Sequence, residues 1–435
     1  MRRVLRKILL GIGAVGLVCG VFRITVYVQA QNGLPIVPGE PATEEDLKAW
    51  YPETVAEAEN AAPLYLNAAR AFALPEYGDK NIPFFNGNEL PGPGDALPDA
   101  ALKSITDFLA KNAETVRLLH EAAALPKCRY PAEGQKEGEP VVGRPWPMLA
   151  LEAVLNAERG DGNGAVDALL AGFAAAGSLR NELMVMNTIK RWWCSRFLLL
   201  ALERALTRVT LTDEQLMAIS TALANADTAE EMTRGLVGMR CGTAQYFRGS
   251  MEIKKEMYEP DLPPQWLQGW RRQFYFLSGL ADMERRRFNE FIHDWQEARK
   301  LVPFSAREDA AAALQERLNN ASTWQAPITR AFIKETSIIG LVIQETCHKA
   351  RVATAEMGLS IERFRLKYGR LPDKPEELIP EFLQVLPADP FNDRPLSYRR
   401  DAQGYSISSV GADVPHAQWD HSWVTREEIV FTVGR

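Results

Sequence analysis

The sequence predicts a mainly α-helical protein with an N-terminal transmembrane helix and a small α+β module at its C-terminus. Three observations predict it. Four basic residues, Arg2, Arg3, Arg6 and Lys7, precede an apolar run from Ile8 to Phe22. A long Ala- and Leu-rich middle then carries apolar residues at three- and four-residue spacing. After Gly369 the pattern changes to short alternating runs separated by turn residues.

The elements follow in order. The apolar run is short for a bilayer span of about 20 residues. It reaches that length by running through Arg23 to Val28, because an Arg near a helix end can extend to the interface. The basic flank stays cytoplasmic and the remainder is extracytoplasmic. Residues 1–30 are therefore read as an uncleaved signal anchor in a bacterial inner membrane. Cleavage after Ala30 is the alternative. A lipoprotein reading through Cys19 is disfavoured, because Val18 is bulky for the position before a lipidated cysteine. Residues 31–42, with Pro35, Pro38, Gly39 and Pro41, form a linker.

Residues 43–346 read as an irregular antiparallel α-helical domain. Thr43-Glu-Glu-Asp46 starts a helix with acids in its first turn, and Glu57 to Phe72 continues it. Pro75 to Pro98 and Lys127 to Pro147 are Pro/Gly-rich excursions on either side of a helix from Asp99 to Leu125. Helices follow at Pro147–Glu158, Ala165–Leu179, Glu182–Arg208, Thr212–Ala226 and Thr228–Met257. Thr212 before Asp213 and Glu214 is a capping signal. Gln265 to Lys300 reads as one aromatic helix, with Trp266, Trp270, Phe274, Phe288, Ile292 and Trp295 on one face. Core packing explains that face, and an interfacial helix lying on lipid is the alternative. Asp309–Leu318 and Ile328–Glu345 complete the domain.

Residues 347–435 change character. A helix runs to Tyr368-Gly369, where Gly suits a left-handed cap. Leu396–Arg400 and Tyr405–Val410 read as a hairpin across Asp401-Ala-Gln-Gly404, and Ile429–Val433 as a third strand.

At 435 residues the chain is long for one core. Its 46% hydrophobic and 24% charged content is ordinary for a folded protein. A net charge of -6 gives no bulk electrostatic reason to bind nucleic acid, and none is expected as a partner. Cys128, Cys194, Cys241 and Cys347 form no CxxC or Cys/His metal spacing, so buried free thiols are expected. His416-Ala-Gln-Trp-Asp420-His421 lacks the i, i+4 helical geometry of a zinc site. No GxSxG, P-loop or dinucleotide fingerprint is present.

Two sets of motifs carry resemblances. Helix, Gly160-Asp-Gly-Asn-Gly164 turn and Ala-rich helix resemble a single tetratricopeptide-type hairpin, without a 34-residue recurrence. In the tail, Tyr368-Gly-Arg-Leu-Pro372, Leu386-Pro-Ala-Asp-Pro-Phe391, Pro395-Leu-Ser-Tyr398 and Ser409-Val-Gly-Ala-Asp413 occur in the order found in the globular half of the type II secretion major pseudopilin. That resemblance covers residues 347–435 only. It implies a long helix against a small sheet, a place in the cell envelope and a relation to secretion machinery. In the family, a loop after Gly-Ala-Asp wraps calcium with two aspartates seven positions apart. The resemblance thus implies a calcium site at Asp413 and Asp420, since calcium takes hard oxygen ligands. The loop departs from the family in carrying Pro415, His416 and Trp419. The N-terminus departs too, having no acid in its apolar segment, so pilin-type processing is not expected.

The layout of anchor, Ala-rich helices with Asn60-Ala-Ala-Pro-Leu-Tyr65 and pseudopilin-like tail also resembles a group of membrane-anchored envelope proteins of planctomycete-type bacteria. Two functions are compatible with all this. One is a non-enzymatic extracytoplasmic scaffold that binds an envelope protein. The other is an extracytoplasmic hydrolase with a cleft among the helices.

Overall fold

The computed structural model describes residues 36–37, 39–50, 55–131, 142–225, 230–248, 269–320, 337–411 and 429–434, with isolated positions at 20, 21, 24, 25, 28, 326, 328, 329 and 333. The described residues are mainly helical, with thirteen α-helices and one three-stranded antiparallel sheet. Every strand among them lies in the tail. The anchor predicted over residues 1–30 falls largely outside the described residues, as do Trp266 and residues 412–428. Among the described residues no helix is long and apolar enough to cross a membrane.

The chain divides into two compact units, residues 1–51 with 236–342, and residues 52–235 with 343–435. Residues 43–346 are thus shared between the units, and the tail belongs with residues 52–235.

In that second unit the helices are α2 (Ala62–Ala71), α3 (Asp99–Lys111), α4 (Ala113–Ala123), α5 (Pro147–Glu158), α6 (Gly162–Gly177), α7 (Val185–Arg208) and α8 (Asp213–Ala224). Local chemistry sets several of their ends. Asp161 caps α6 by accepting from the Gly164 N–H at 2.9 Å. Thr212 and Gln215 form a reciprocal capping box at the start of α8. The single helix expected from Asp99 to Leu125 is instead two. Asn112 breaks it, with φ -106° and ψ 24°. Its buried carboxamide accepts from Ala73 N–H at 2.8 Å and donates to Ala73 C=O at 3.1 Å, so a tertiary clamp outweighs helix continuity.

The Pro/Gly excursion of residues 72–98 has no regular element, yet it is anchored. Ile82, Phe85 and Leu97 are buried. The fully buried Arg204 donates to Pro91, Gly92 and Asp95 carbonyls at 3.2, 3.1 and 2.7 Å, and to Glu158 at 2.6 Å. All three of its nitrogens are used, which offsets the cost of burying the charge.

The unit's single core runs from α2 through α8 into the later part of a 31-residue helix, α13 (Ile338–Tyr368), and the sheet. Gly369, at φ 68°, ends α13 in the left-handed conformation the sequence predicts. The sheet order is β1 (Ser397–Asp401), β2 (Gly404–Ser409), β3 (Ile429–Gly434). Ile407 pairs with Tyr398 on one side and Phe431 on the other. Phe431 packs against α13 at Gly358, where a Cβ would stand 2.5 Å from its ring. The buried Asp389 holds the tail's turn by accepting from Phe391 N–H (3.0 Å), Ser409 Oγ–H (2.9 Å) and Val410 N–H (2.7 Å).

The other unit contains α1 (Glu44–Trp50), most of α9 (Glu230–Phe247), α10 (Gly269–Leu277), α11 (Leu280–Ala298), α12 (Phe304–Asn320) and the start of α13. The expected aromatic helix from Gln265 to Lys300 is broken at Gly279, whose φ of 84° suits no other residue well. Phe288, Ile292 and Trp295 are buried, in keeping with core packing. Phe274 and Leu277, beyond the break, are exposed. Glu40 pairs with the buried Arg240 at 2.9 Å, and Glu284 accepts from Thr329 N–H at 2.7 Å.

Candidate cleft among the helices

The Asn60-Ala-Ala-Pro-Leu-Tyr65 segment builds one wall of a cleft of about 700 Å³. Asn60 clamps an irregular segment, residues 127–130, beside it. Its Oδ1 accepts from Arg129 N–H at 2.8 Å, and its Nδ2 donates to Arg129 C=O at 3.0 Å. Ala61 N–H donates to Lys127 C=O at 2.9 Å. Ala61 and Ala62 are buried, and their small side chains allow this backbone approach. Pro63 sits in the first turn of α2, where its missing N–H leaves no bond unmade. Tyr65, one turn into α2, then faces the cleft.

The clamped segment presents Cys128 to the same cleft. Opposite it, α6 contributes Leu170, Phe173, Ala174 and Gly177, followed by Ser178, Arg180 and Asn181. The end of α8 adds Ala222 and Asn225. Ser178 Oγ–H donates to Ala175 C=O at 2.6 Å, so Tyr130 OH is the donor in its 3.0 Å bond to Ser178 Oγ. Tyr65 also meets the buried Trp146 edge to face, ring centroids 6.4 Å apart.

Burial favours the protonated forms of Cys128 and Tyr65, which line the floor, and of Tyr130 beside Cys128. Burial pushes the Cys128 thiol up to about 12, against smaller opposing hydrogen bonds from Tyr130 and Ser178. Burial raises Tyr65 and Tyr130 as well. A thiol reacts as its thiolate, so this arrangement does not activate Cys128. The described charged residues lining the cleft are Lys127, Arg129 and Arg180, and no carboxylate is among them. Lys127 pairs with Glu59 at 2.9 Å.

Sequence reasoning singled out the Asn60–Tyr65 segment and the thiols, but not their meeting. Cys194 and Cys241 are buried as expected, whereas Cys128 and Cys347 are only half-buried. Ser178 and Tyr130 carry no local signal, because forty-eight residues separate them in the chain. His120 on α4 pairs with Glu152 at 2.7 Å, and that hydrogen bond raises its pKa. Neither residue is among those that line the cleft.

The predicted calcium ligands Asp413 and Asp420 lie outside the described residues, as do His416 and His421. The ends of their segment are described: Ser409 pairs with Ile429 across β2 and β3, and Asp389 fixes Val410. Among the described residues no group of three or more His, Cys, Asp or Glu side chains could hold a metal ion. Comparison with protein-family models, with curated proteins and with solved structures finds no match.

Proposed function

We propose that this chain is a membrane-anchored, extracytoplasmic scaffold of the bacterial cell envelope that holds a segment of a partner protein in the cleft beside Tyr65. The observation that carries this reading is the composition of the cleft. Among the described residues its floor is apolar and aromatic, burial favours the neutral forms of Cys128 and Tyr65, and the charged side chains that line it are cations. Such a surface suits a peptide with apolar side chains. A hydrolase would instead need a base or nucleophile poised near neutrality. Burial drives Cys128 and Tyr65 the other way.

The envelope setting rests on the basic and apolar N-terminus and on the pseudopilin-like motif order of the tail. The sequence of long helix, hairpin and third strand in residues 338–434 supports that likeness. In this reading the N-terminal helix ties the chain to the inner membrane, and Asp413 and Asp420 share a calcium ion that orders the loop between β2 and β3. The test of the scaffold reading is quantitative capture from solubilised envelope, comparing wild type with Ala174→Trp. Ala174 is exposed within the cleft, so the larger side chain fills the space without entering the core. A partner retained by wild type and lost by the filled variant supports the reading. Identical captures refute it.

A further inference from the structure

Arg180 is the least compensated charge in the cleft. Its side chain is two-thirds withdrawn from solvent, at 34% exposure. Among the described residues it forms an ion pair with Glu231, whose Oε1 lies 3.8 Å from Arg180 Nε, beyond hydrogen-bond reach. Glu231 is buried and held in direct contact by the buried Arg191 guanidinium, so its charge is already engaged. Arg180 Nε is buried without a hydrogen-bond partner. Burial alone lowers the pKa of this guanidinium. A desolvated donor without an acceptor is costly, and a guanidinium presents a planar fork that matches a carboxylate.

The apolar neighbours lie close at hand. Leu170, Phe173 and Ala174 line the same cleft from α6, and Tyr65 faces it from α2. We propose that the cleft takes a carboxylate borne on a small apolar body, with the carboxylate on Arg180 and the apolar part over Phe173 and Tyr65. This rests on the reading of the cleft as a partner-binding site, where the carboxylate comes either from a chain terminus or from an Asp or Glu side chain.

The test is calorimetric titration of the full chain with three probes at millimolar concentration. They are N-acetyl-leucyl-alanine, its C-terminal amide, and N-acetyl-aspartyl-leucinamide. At least one acid binds with one-to-one stoichiometry and the neutral amide does not; which acid binds identifies the source. Arg180→Gln weakens the acid by roughly tenfold or more, and Arg180→Lys weakens it less. Arg180→Gln stays folded, because the ion pair it loses is the long one to Glu231, which Arg191 still holds. Should that variant fail to fold, Ala174→Trp supplies the same comparison by occupying the apolar part of the site. Binding of the amide equal to the acids, no binding of either acid, or undiminished binding by Arg180→Gln overturns the proposal. A partner that depends on an open cleft, together with inert acids, defeats the carboxylate inference alone. Acids that bind while no partner depends on the cleft defeat the scaffold reading instead.

Discussion

The carboxyl of Glu203, on α7, accepts a hydrogen bond from the backbone N–H of Thr432, on β3. One turn later Thr207 Oγ1 accepts from Gly434 N–H at 3.3 Å. β3 is the edge of the sheet, since β2 lies on its other side. Side chains of a helix therefore satisfy backbone donors that an edge strand would otherwise expose. The tail is seated on the helices of its unit rather than appended to them.

That seat depends on pH. Glu203 is buried, and burial pushes its pKa up to about 8, against a smaller opposing effect of the Thr432 bond. Of the charged groups on neighbouring α5, Glu158 is engaged by Arg204 and Arg208, and β3 bears no charged side chain. A carboxyl whose folded pKa is raised favours the folded state fully below its unfolded value, near 4.3, and that contribution is lost as pH rises through 8. Glu203→Gln keeps an acceptor for Thr432 without the charge. The variant should therefore match wild type in thermal melts at pH 5 and exceed it at pH 9, by on the order of a few kcal/mol. A difference that does not grow with pH would argue against the buried, ionising Glu203.

Arg204 should be irreplaceable for the loop of residues 72–98. Arg204→Met removes four hydrogen bonds and leaves the Pro91 and Gly92 carbonyls to find other donors, while Asp95 C=O keeps its bond from Arg208. Glu158 keeps Arg208 at 2.9 Å. Loss of one partner from a buried network costs about 3–5 kcal/mol. Denaturant unfolding and limited proteolysis within the loop read the effect. Unchanged stability and unchanged cleavage would contradict the anchoring role.

Gly358 sets how closely the sheet approaches α13. Alanine is a better helix former by about 1 kcal/mol. Its methyl would stand 2.5 Å from Cε1 and 2.9 Å from Cδ1 of the buried Phe431, which has little room to withdraw. Overpacking of this kind costs about 1–3 kcal/mol, so the net effect of Gly358→Ala is destabilising. A melting temperature equal to or above wild type would show that β3 can move off the helix.

Calcium should raise the melting temperature by mass action if Asp413 and Asp420 share the ion. The full chain is the right sample, because α7 helps hold β3. Asp413→Asn with Asp420→Asn should abolish the difference between calcium and chelator. Equal melting of wild type in both conditions would remove the calcium site and leave the tail's fold intact.

The parts of the fold that sequence foresaw are those set by neighbours in the chain. Thr212 before α8, Gly369 after α13 and the hairpin at Asp401–Gly404 are all local devices. What escaped it depends on distant partners. Asn112 breaks a regular helical pattern because Ala73 lies thirty-nine residues away in the chain and needs its carboxamide. Arg204 looks like any surface arginine until the Pro91–Asp95 carbonyls close around it. The cleft escaped for the same reason, since Asn60 meets Arg129 across sixty-nine residues. The segment from Asn60 to Tyr65 and the Cys128 thiol were visible in advance, but only as separate features.

The central claim is that the cleft beside Tyr65 holds a partner protein. Site-specific photocrosslinking from position 174 in living cells tests it most directly, with the exposed Lys103 on α3 as the control position. The account predicts a discrete adduct of one envelope protein from position 174, absent from position 103 and diminished by Arg180→Gln. No adduct from the cleft, or the same adducts from both positions, would contradict it.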